Sequence, residues 1–176
     1  MWALWAAKET AYKVVRKMNP LVASTPRLYP VVLSLGDQGP ARPGVVCTPH
    51  GPVVIRVSVD ADYVHCIGST TPDMLDHILW SVERLSPAEE GGDHAPSTAV
   101  RRLAGRRLAA LLHVPAADIA IRRCQDIHGW GPPRPYLKGN PAPFDLSFSD
   151  DGAFVAYAMI SSPIKKTCPV IPSDGE

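Results

Sequence analysis

The stretch from residue 2 to residue 18, WALWAAKETAYKVVRKM, decides the first element of the fold. Counting about 100° per residue, Glu9, Lys13 and Arg16 share one face of a helix over this stretch. The apolar residues recur at helical spacing on the other face and form one stripe: Leu4, Ala7, Ala11, Val14, Val15 and Met18. Asn19-Pro20 would end the helix. The stretch therefore predicts an amphipathic α-helix.

Segments rich in β-branched and aromatic residues follow along the chain. Residues 72–85 fit a strand or a helix. A second helix is expected to start from an N-cap at Ser97-Thr98 and to run to about His113. Residues 129–139 are a predicted Gly/Pro loop. The other segments predict short strands: 28–35, 45–48, 53–59, 63–68, 118–124, 144–149 and 154–160.

The alternation of helices with antiparallel-looking hairpins predicts an α+β fold. The antiparallel sheet would be packed by helices within one domain over residues 1–162. A polar, proline-bearing tail, residues 163–176, is expected to be flexible. A polar loop is predicted over residues 87–96.

Composition and charge exclude several classes of function. The chain has 176 residues and a formal net charge of +1, which does not indicate a nucleic-acid binder. No apolar run approaches the ~20 residues that span a bilayer, and no secretory signal is recognisable, so we predict a cytoplasmic protein without a membrane partner. The four cysteines form no CxxC pair and are expected to be reduced. The sequence leaves a Cys47–Cys66 disulfide as an alternative.

Glu9 and Lys13 are candidates for chemistry because they are four residues apart on the predicted helix. A carboxylate is a hard oxygen ligand for Mg²⁺, and an ammonium group neutralises phosphate oxygens. The commoner explanation of such a pair is an exposed ion pair worth about 0.2–0.5 kcal/mol. From the spacing alone the ordinary ion pair is favoured.

Two other groups could bind anions. The second helix carries an arginine-rich face, which suits a phosphate or an acidic partner but is more often only solvated: Arg101, Arg102, Arg106 and Arg107. Arg134 and Lys138 precede the hairpin that contains Ser149, where hydroxyls and turn amides can hold phosphate oxygens. That hairpin also has an ordinary interpretation as a turn without a role. His65, in a predicted strand, is expected to be a packed residue.

The order of these signals carries more information than any one of them. The run W-x-x-K-E-x-x-x-K extends from Trp5 to Lys13, and a helix of the pattern R-x-x-A-x-R-x-L follows later. The segments GPPRPYLKG and LSFSDDGAFVAYA come next. Together they resemble the 4′-phosphopantetheinyl transferase superfamily, of the holo-acyl-carrier-protein-synthase type, with Thr10 in place of the usual alanine.

The resemblance implies an α+β fold and a Mg²⁺-dependent reaction. The 4′-phosphopantetheine group of coenzyme A would be transferred to a serine of an acyl or peptidyl carrier protein. Coenzyme A is thus the implied donor substrate, and the carrier protein is the implied partner. Single-domain members resemble trimers, so a homo-oligomer is a further implication.

The same resemblance assigns roles to individual residues. Glu9 would bind Mg²⁺ and act in catalysis, while Lys13 would contact the phosphates and assist proton transfer. Lys8 would be a neighbouring phosphate contact, and Ser149 would lie near the coenzyme A phosphates. Arg134 and Lys138 would contact the nucleotide, by position only.

Two departures from the family pattern leave a second interpretation open. The family's acidic G-x-D-x-E strand precedes the signature helix and has no counterpart here, which suggests a truncated or divergent member. Asp150 stands where the family has histidine, and an aspartate repels phosphate unless a cation intervenes. The alternative is a non-catalytic, transferase-like module that binds coenzyme A or a carrier protein. A third possibility is an assembly role for a sheet over residues 45–85.

Overall fold

The described part of the chain forms two long helices and three antiparallel sheets, so the predicted α+β class is confirmed. The computed structural model describes residues 1–34, 41–86, 95–126 and 129–162. The predicted tail from residue 163 and most of the predicted loop at 87–96 lie outside the described residues. No helix of the described part is long and apolar enough to cross a membrane.

The helices and strands are numbered here in chain order. Short 3₁₀ turns at Pro26–Leu28 and Ala116–Asp118 connect some of them. The elements are α1 (Trp2–Met18), β1 (Val31–Leu33), β2 (Ala41–Thr48), β3 (Gly51–Val59), β4 (Val64–Ser69), α2 (Pro72–Leu75), β5 (Leu79–Arg84), α3 (Ala95–Leu112), β6 (Ile119–Asp126), β7 (Gly129–Leu137), β8 (Asn140–Pro141), β9 (Phe144–Asp151) and β10 (Phe154–Ser161).

Helix α1 packs on a four-stranded sheet with the order β1-β2-β3-β4. Ala7, Ala11 and Val15 are fully buried in the core that the helix shares with β2 and β3. Leu4 and Met18 belong to the same predicted apolar stripe, but their side chains are about half exposed. The buried stripe is therefore shorter than predicted, and it consists mainly of small residues that let the helix approach the sheet closely.

Helix α3 packs on a second sheet with the order β5-β10-β9. Val100, Ala104 and Leu108 of the helix are buried together with Leu146 and Met159 of the sheet. A third sheet, β6-β7-β8, lies beside these elements, with β6 against α3 and β7 against β9. The predicted apolar stripe of the second helix therefore forms a separate core.

The predicted Gly/Pro loop at 129–139 is wrong, because most of it is strand β7. This strand pairs with β6 along its length, but with β8 only at Tyr136 and Leu137. Proline lacks the amide proton that a central strand needs, and it is tolerated on such a partly unpaired edge. The pairing is also irregular between Arg123 and Gln125, where a bulge relaxes the hydrogen-bond pattern.

Other predicted boundaries also change. The N-cap at Ser97-Thr98 is wrong, because α3 already starts at Ala95 and the Ser97 hydroxyl accepts a hydrogen bond from Arg101 inside the helix. Residues 72–85 contain a short helix and then strand β5.

The open question of a Cys47–Cys66 disulfide is answered by the sheet order. The two thiols are free, and β3 lies between the strands β2 and β4 that carry them.

Candidate functional site

A cavity of about 340 Å³ lies between α1, β4 and the second sheet. One wall is the side of α1 that contains Lys13 and Lys17, and another is β4 with the residues that follow it. The third side is formed by β9 and β10. The cavity thus lies between the two helix–sheet units and is lined by residues far apart in sequence.

The floor of the cavity follows from the register of β9 and β10. Ser149 pairs with Ala156, and Ser147 pairs with Ala158. Side chains alternate between the two faces of a strand, so these four small residues share one face of the sheet. The opposite face carries large residues that pack on α3, among them Leu146. These four small side chains leave space for the cavity, and Asp145 and Ile160 of the same face also line it.

Helix α1 is tied to β9 by two lysines. The Lys13 Nζ donates to the Phe148 carbonyl at 3.2 Å, and the Lys17 Nζ donates to the Leu146 carbonyl at 2.7 Å. Lys17 also forms an ion pair of 3.0 Å with Asp145. Four helical residues advance about 6 Å, and two strand residues advance about 6.6–6.8 Å, so successive lysines match alternate carbonyls. The helix therefore runs antiparallel to β9.

Lys13 lies in a charged environment at the cavity. Burial lowers the pKa of its ammonium group, and the carboxylates of Glu9 and Asp150 oppose that shift. Glu9 Oε1 is 4.0 Å from the Lys13 Nζ. The positive charge of Arg123 lowers the pKa of Lys13 further. Asp150, at the end of β9, therefore acts electrostatically on Lys13 of α1.

Thr10, which lines the same cavity from α1, makes a close contact with β4. The Thr10 hydroxyl donates to the Cys66 carbonyl at 3.1 Å. A Cβ atom at Gly68 would lie 2.9 Å from the Thr10 Cγ2 atom. A Cβ atom at position 68 would therefore crowd the Thr10 methyl group, and one of the two would have to shift.

His65 lines the cavity from β4 and is only 8% exposed. Its ring stacks on Trp80 with a centroid distance of 4.9 Å. Within the described residues its Nε2 atom has no hydrogen-bond partner. Burial, and to a lesser degree the positive charge of Lys13, lower the pKa of His65 to about 4, so the imidazole is neutral near pH 7. His65 is a packed residue, as the sequence predicts, and it also contributes to the cavity.

Among the residues to which the sequence assigns a role, Lys13 and Ser149 line the cavity. Glu9 lies beside Lys13 but is not among the lining residues. Lys8 is turned elsewhere and donates to the Arg27 carbonyl at 2.7 Å.

The two predicted nucleotide contacts lie on the third sheet and are not part of the cavity wall. Arg134 is in β7, and Lys138 follows that strand. The Lys138 Nζ is 3.6 Å from the Asp118 carboxylate, with which it forms an ion pair. Unlike Lys13 and Ser149, these two cations therefore do not line the cavity.

Sequence reasoning misses several residues of the cavity. Lys17 is one helical turn beyond Lys13, and this spacing could have identified it. The small side chains of Ala156 and Ala158 alternate with large ones in β10, which signals a sheet with one open face. The cavity wall at residues 65–70 carries no sequence signal that identifies it.

Within the described ranges, no group of three or more His, Cys, Asp or Glu side chains is arranged to hold a metal ion. Glu9 and Asp150 both act electrostatically on the Lys13 ammonium group, and Asp145 lines the cavity.

Comparison of the chain with models of protein families, with curated proteins and with solved structures gave no match.

Proposed function

We propose that the chain belongs with the phosphopantetheinyl transferases. It would transfer the 4′-phosphopantetheine group of coenzyme A to a serine of an acyl or peptidyl carrier protein. The observation that carries the proposal is the contact between α1 and β9 at one cavity. Lys13, from the signature-like helix, donates a hydrogen bond to β9 across 135 residues of sequence, next to Ser149. Two segments that resemble the family at opposite ends of the chain thus meet in space.

In the proposed reaction the carrier serine Oγ attacks the β-phosphorus of coenzyme A. A new P–O bond forms to the serine, and the bond to the bridging oxygen of the pyrophosphate breaks. The serine proton leaves to a base or to water, and adenosine 3′,5′-bisphosphate departs with the bonding electrons. Lys13 retains two further ammonium protons for phosphate oxygens, which gather negative charge in the transition state.

The residues around Lys13 fit a Mg²⁺ ion bound together with phosphate. Mg²⁺ commonly takes one or two protein carboxylates and completes its shell with water and substrate phosphates. Glu9 is the first carboxylate for this role, and Asp150 is a second. Bound Mg²⁺ would neutralise charge on the pyrophosphate, which is the condition under which an aspartate at position 150 is tolerated.

A non-catalytic binding module is the second candidate. Lys13 and Lys17 each donate a hydrogen bond to a backbone carbonyl of β9, and Lys17 also forms an ion pair with Asp145. Such lysines also stabilise the contact between the two units without any substrate. This alternative keeps coenzyme A or carrier binding but lacks turnover.

A transfer assay tests the proposal. The protein is incubated with Mg²⁺, coenzyme A and an apo carrier protein, and the mass of the carrier is followed. The expected result is a gain of the phosphopantetheine mass that Glu9→Gln reduces by about 10²-fold or more. Asp62→Asn, an exposed carboxylate between β3 and β4, is the matched control and should retain the wild-type rate.

The binding-module alternative gives a different result. If the carrier gains no mass while calorimetry still detects binding of coenzyme A, turnover is absent and the second candidate stands. If Asp150→His restores activity to an otherwise inactive chain, the aspartate is the cause of the loss. If neither coenzyme A nor a carrier protein binds, both candidates fail.

A further inference from the structure

Strand β1 is an edge of the four-stranded sheet, which has the order β1-β2-β3-β4. An edge strand presents N–H and C=O groups that can pair with another strand. On the other edge strand, β4, the Cys66 carbonyl accepts a hydrogen bond from the Thr10 hydroxyl of α1. Within the described ranges no strand pairs with the outer side of β1. The edge at β1 is therefore a surface to which a further strand can be added.

The hydrogen bonds to β2 show which backbone groups of β1 point outwards. The Pro30 carbonyl accepts a hydrogen bond from β2 at 2.9 Å, and the Ser34 N–H donates one to β2 at 2.9 Å. Because such bonds alternate along an antiparallel strand, Val31 and Leu33 direct their N–H and C=O groups away from β2. The N–H that Pro30 lacks belongs to the side facing β2, so this proline does not block the outer edge.

The outer edge of β1 is complementary to itself about Val32. When a second copy approaches antiparallel around a twofold axis at Val32, Val31 of each copy lies opposite Leu33 of the other. Each of these pairs exchanges both of its backbone hydrogen bonds, because both residues direct their polar groups outwards. The strand has the sequence VVL and no charged residue, so every cross-strand pair is apolar and no like charges meet.

The side chains on the outer face of the sheet continue across the same axis. Val32 is 65% exposed, and it pairs with Val45, which in turn pairs with Val54. Val31 and Leu33 lie on the opposite face and pack against the core under α1. The twofold axis would place the Val32 side chains of both copies next to each other, and it would join two rows of valines into one.

The length of the edge limits the strength of the contact. Pairing of a three-residue strand covers far less than the roughly 800 Å² per partner of a standard interface. The association is therefore expected to be weak and to depend on protein concentration.

We propose that two copies of this chain associate through antiparallel pairing of their β1 strands about Val32, which joins the two four-stranded sheets into one. A twofold contact of this kind closes at two copies. No residue of β1 lines the cavity beside Lys13, so the dimer contact and the proposed reaction are independent of each other.

The first test measures association in solution. Sedimentation velocity of the wild-type chain at increasing concentration should show a monomer that converts into a dimer. Val32→Glu places two carboxylates opposite each other at the axis and should raise the dimer dissociation constant by about tenfold or more. Val59→Glu, at a valine that is 43% exposed at the end of β3, is the matched control and should associate like wild type.

Three results of this measurement would overturn the proposal. The wild-type chain remains a monomer up to its solubility limit, its largest species is a trimer, or Val32→Glu associates as strongly as wild type. In the last case the copies meet at another surface.

A second test locates the axis without weakening the contact. Directly opposed residues in a non-hydrogen-bonded antiparallel pair have Cα atoms about 4.5 Å apart, which is within the range of a disulfide. Val32→Cys should therefore form a disulfide between two copies under mild oxidation, detected as a linked pair of identical peptides by mass spectrometry. Val59→Cys is the control and should give little of the corresponding link. A wild-type dimer without any link at position 32 in the variant would refute the proposed pairing.

Discussion

Replacing His65 by phenylalanine should remove an acid-sensitive part of the stability of this protein. The folded chain holds the imidazole at a pKa of about 4, against 6.5 for an unperturbed histidine. Between these two values the unfolded chain binds a proton that the folded chain does not, so the free energy of unfolding falls as the pH falls. The contribution of His65 is fully present above pH 6.5 and is lost towards pH 4.

The size of this effect follows from the difference between the two pKa values. At about 1.4 kcal/mol per pH unit, the shift from 6.5 to about 4 corresponds to about 3 kcal/mol. Phenylalanine keeps a ring that can stack on Trp80 but cannot bind a proton. Wild type should therefore lose about 3 kcal/mol more stability than His65→Phe between about pH 7 and about pH 4.

Urea unfolding at a series of pH values measures this difference directly. Protonation of carboxylates affects both proteins, so the comparison isolates the histidine. His77→Gln, a substitution of an exposed histidine, is the control and should follow the wild-type curve. Parallel stability curves for wild type and His65→Phe would refute the reasoning, because they would mean that His65 titrates alike in both states.

Two more predictions concern packing and reactivity beside the cavity. Gly68→Ala should destabilise the protein by about 1–3 kcal/mol in thermal unfolding, because the new Cβ meets the Thr10 methyl group at 2.9 Å. Thr10→Ser, which removes that methyl and keeps the hydroxyl, should recover part of the loss in the double variant; additive losses would contradict the contact. Burial raises the pKa of the Cys66 thiol to about 12, so a thiol reagent should modify exposed Cys47 quickly and Cys66 only as fast as the protein opens. Equal modification rates in a time course by mass spectrometry would show that β4 is open to solvent.

The two long helices could be predicted from the sequence because their signal is local. Residues three and four apart lie on one face of a helix, so the apolar periodicity of residues 2–18 gives the bounds of α1 directly. The strands on either side of the Asp-Gly turn at residues 151–152 were also predictable, because residue type and turn chemistry are local signals. Strand β7 was not predictable, because proline is tolerated only where one side of a strand lacks a partner, and only the pairing shows that β8 covers no more than Tyr136 and Leu137 of β7.

The candidate site was predicted only in part. Lys13 and Ser149 were singled out by residue type and order, and both line the cavity. Arg134 and Lys138 were chosen by their position in sequence, which does not determine distance in space. His65 was predicted as a core residue, and its place at the cavity depends on how β4 meets the second sheet.

The sequence by itself determined the α+β class, the long helices and most of the strands. These features depend on periodicity and turn chemistry, which act between neighbouring residues. Only the tertiary structure decided that α1 lies against β9 and that the small residues of β9 and β10 enclose a cavity. Contacts between groups more than a hundred residues apart depend on how whole sheets and helices pack, and no local pattern in the chain encodes that geometry.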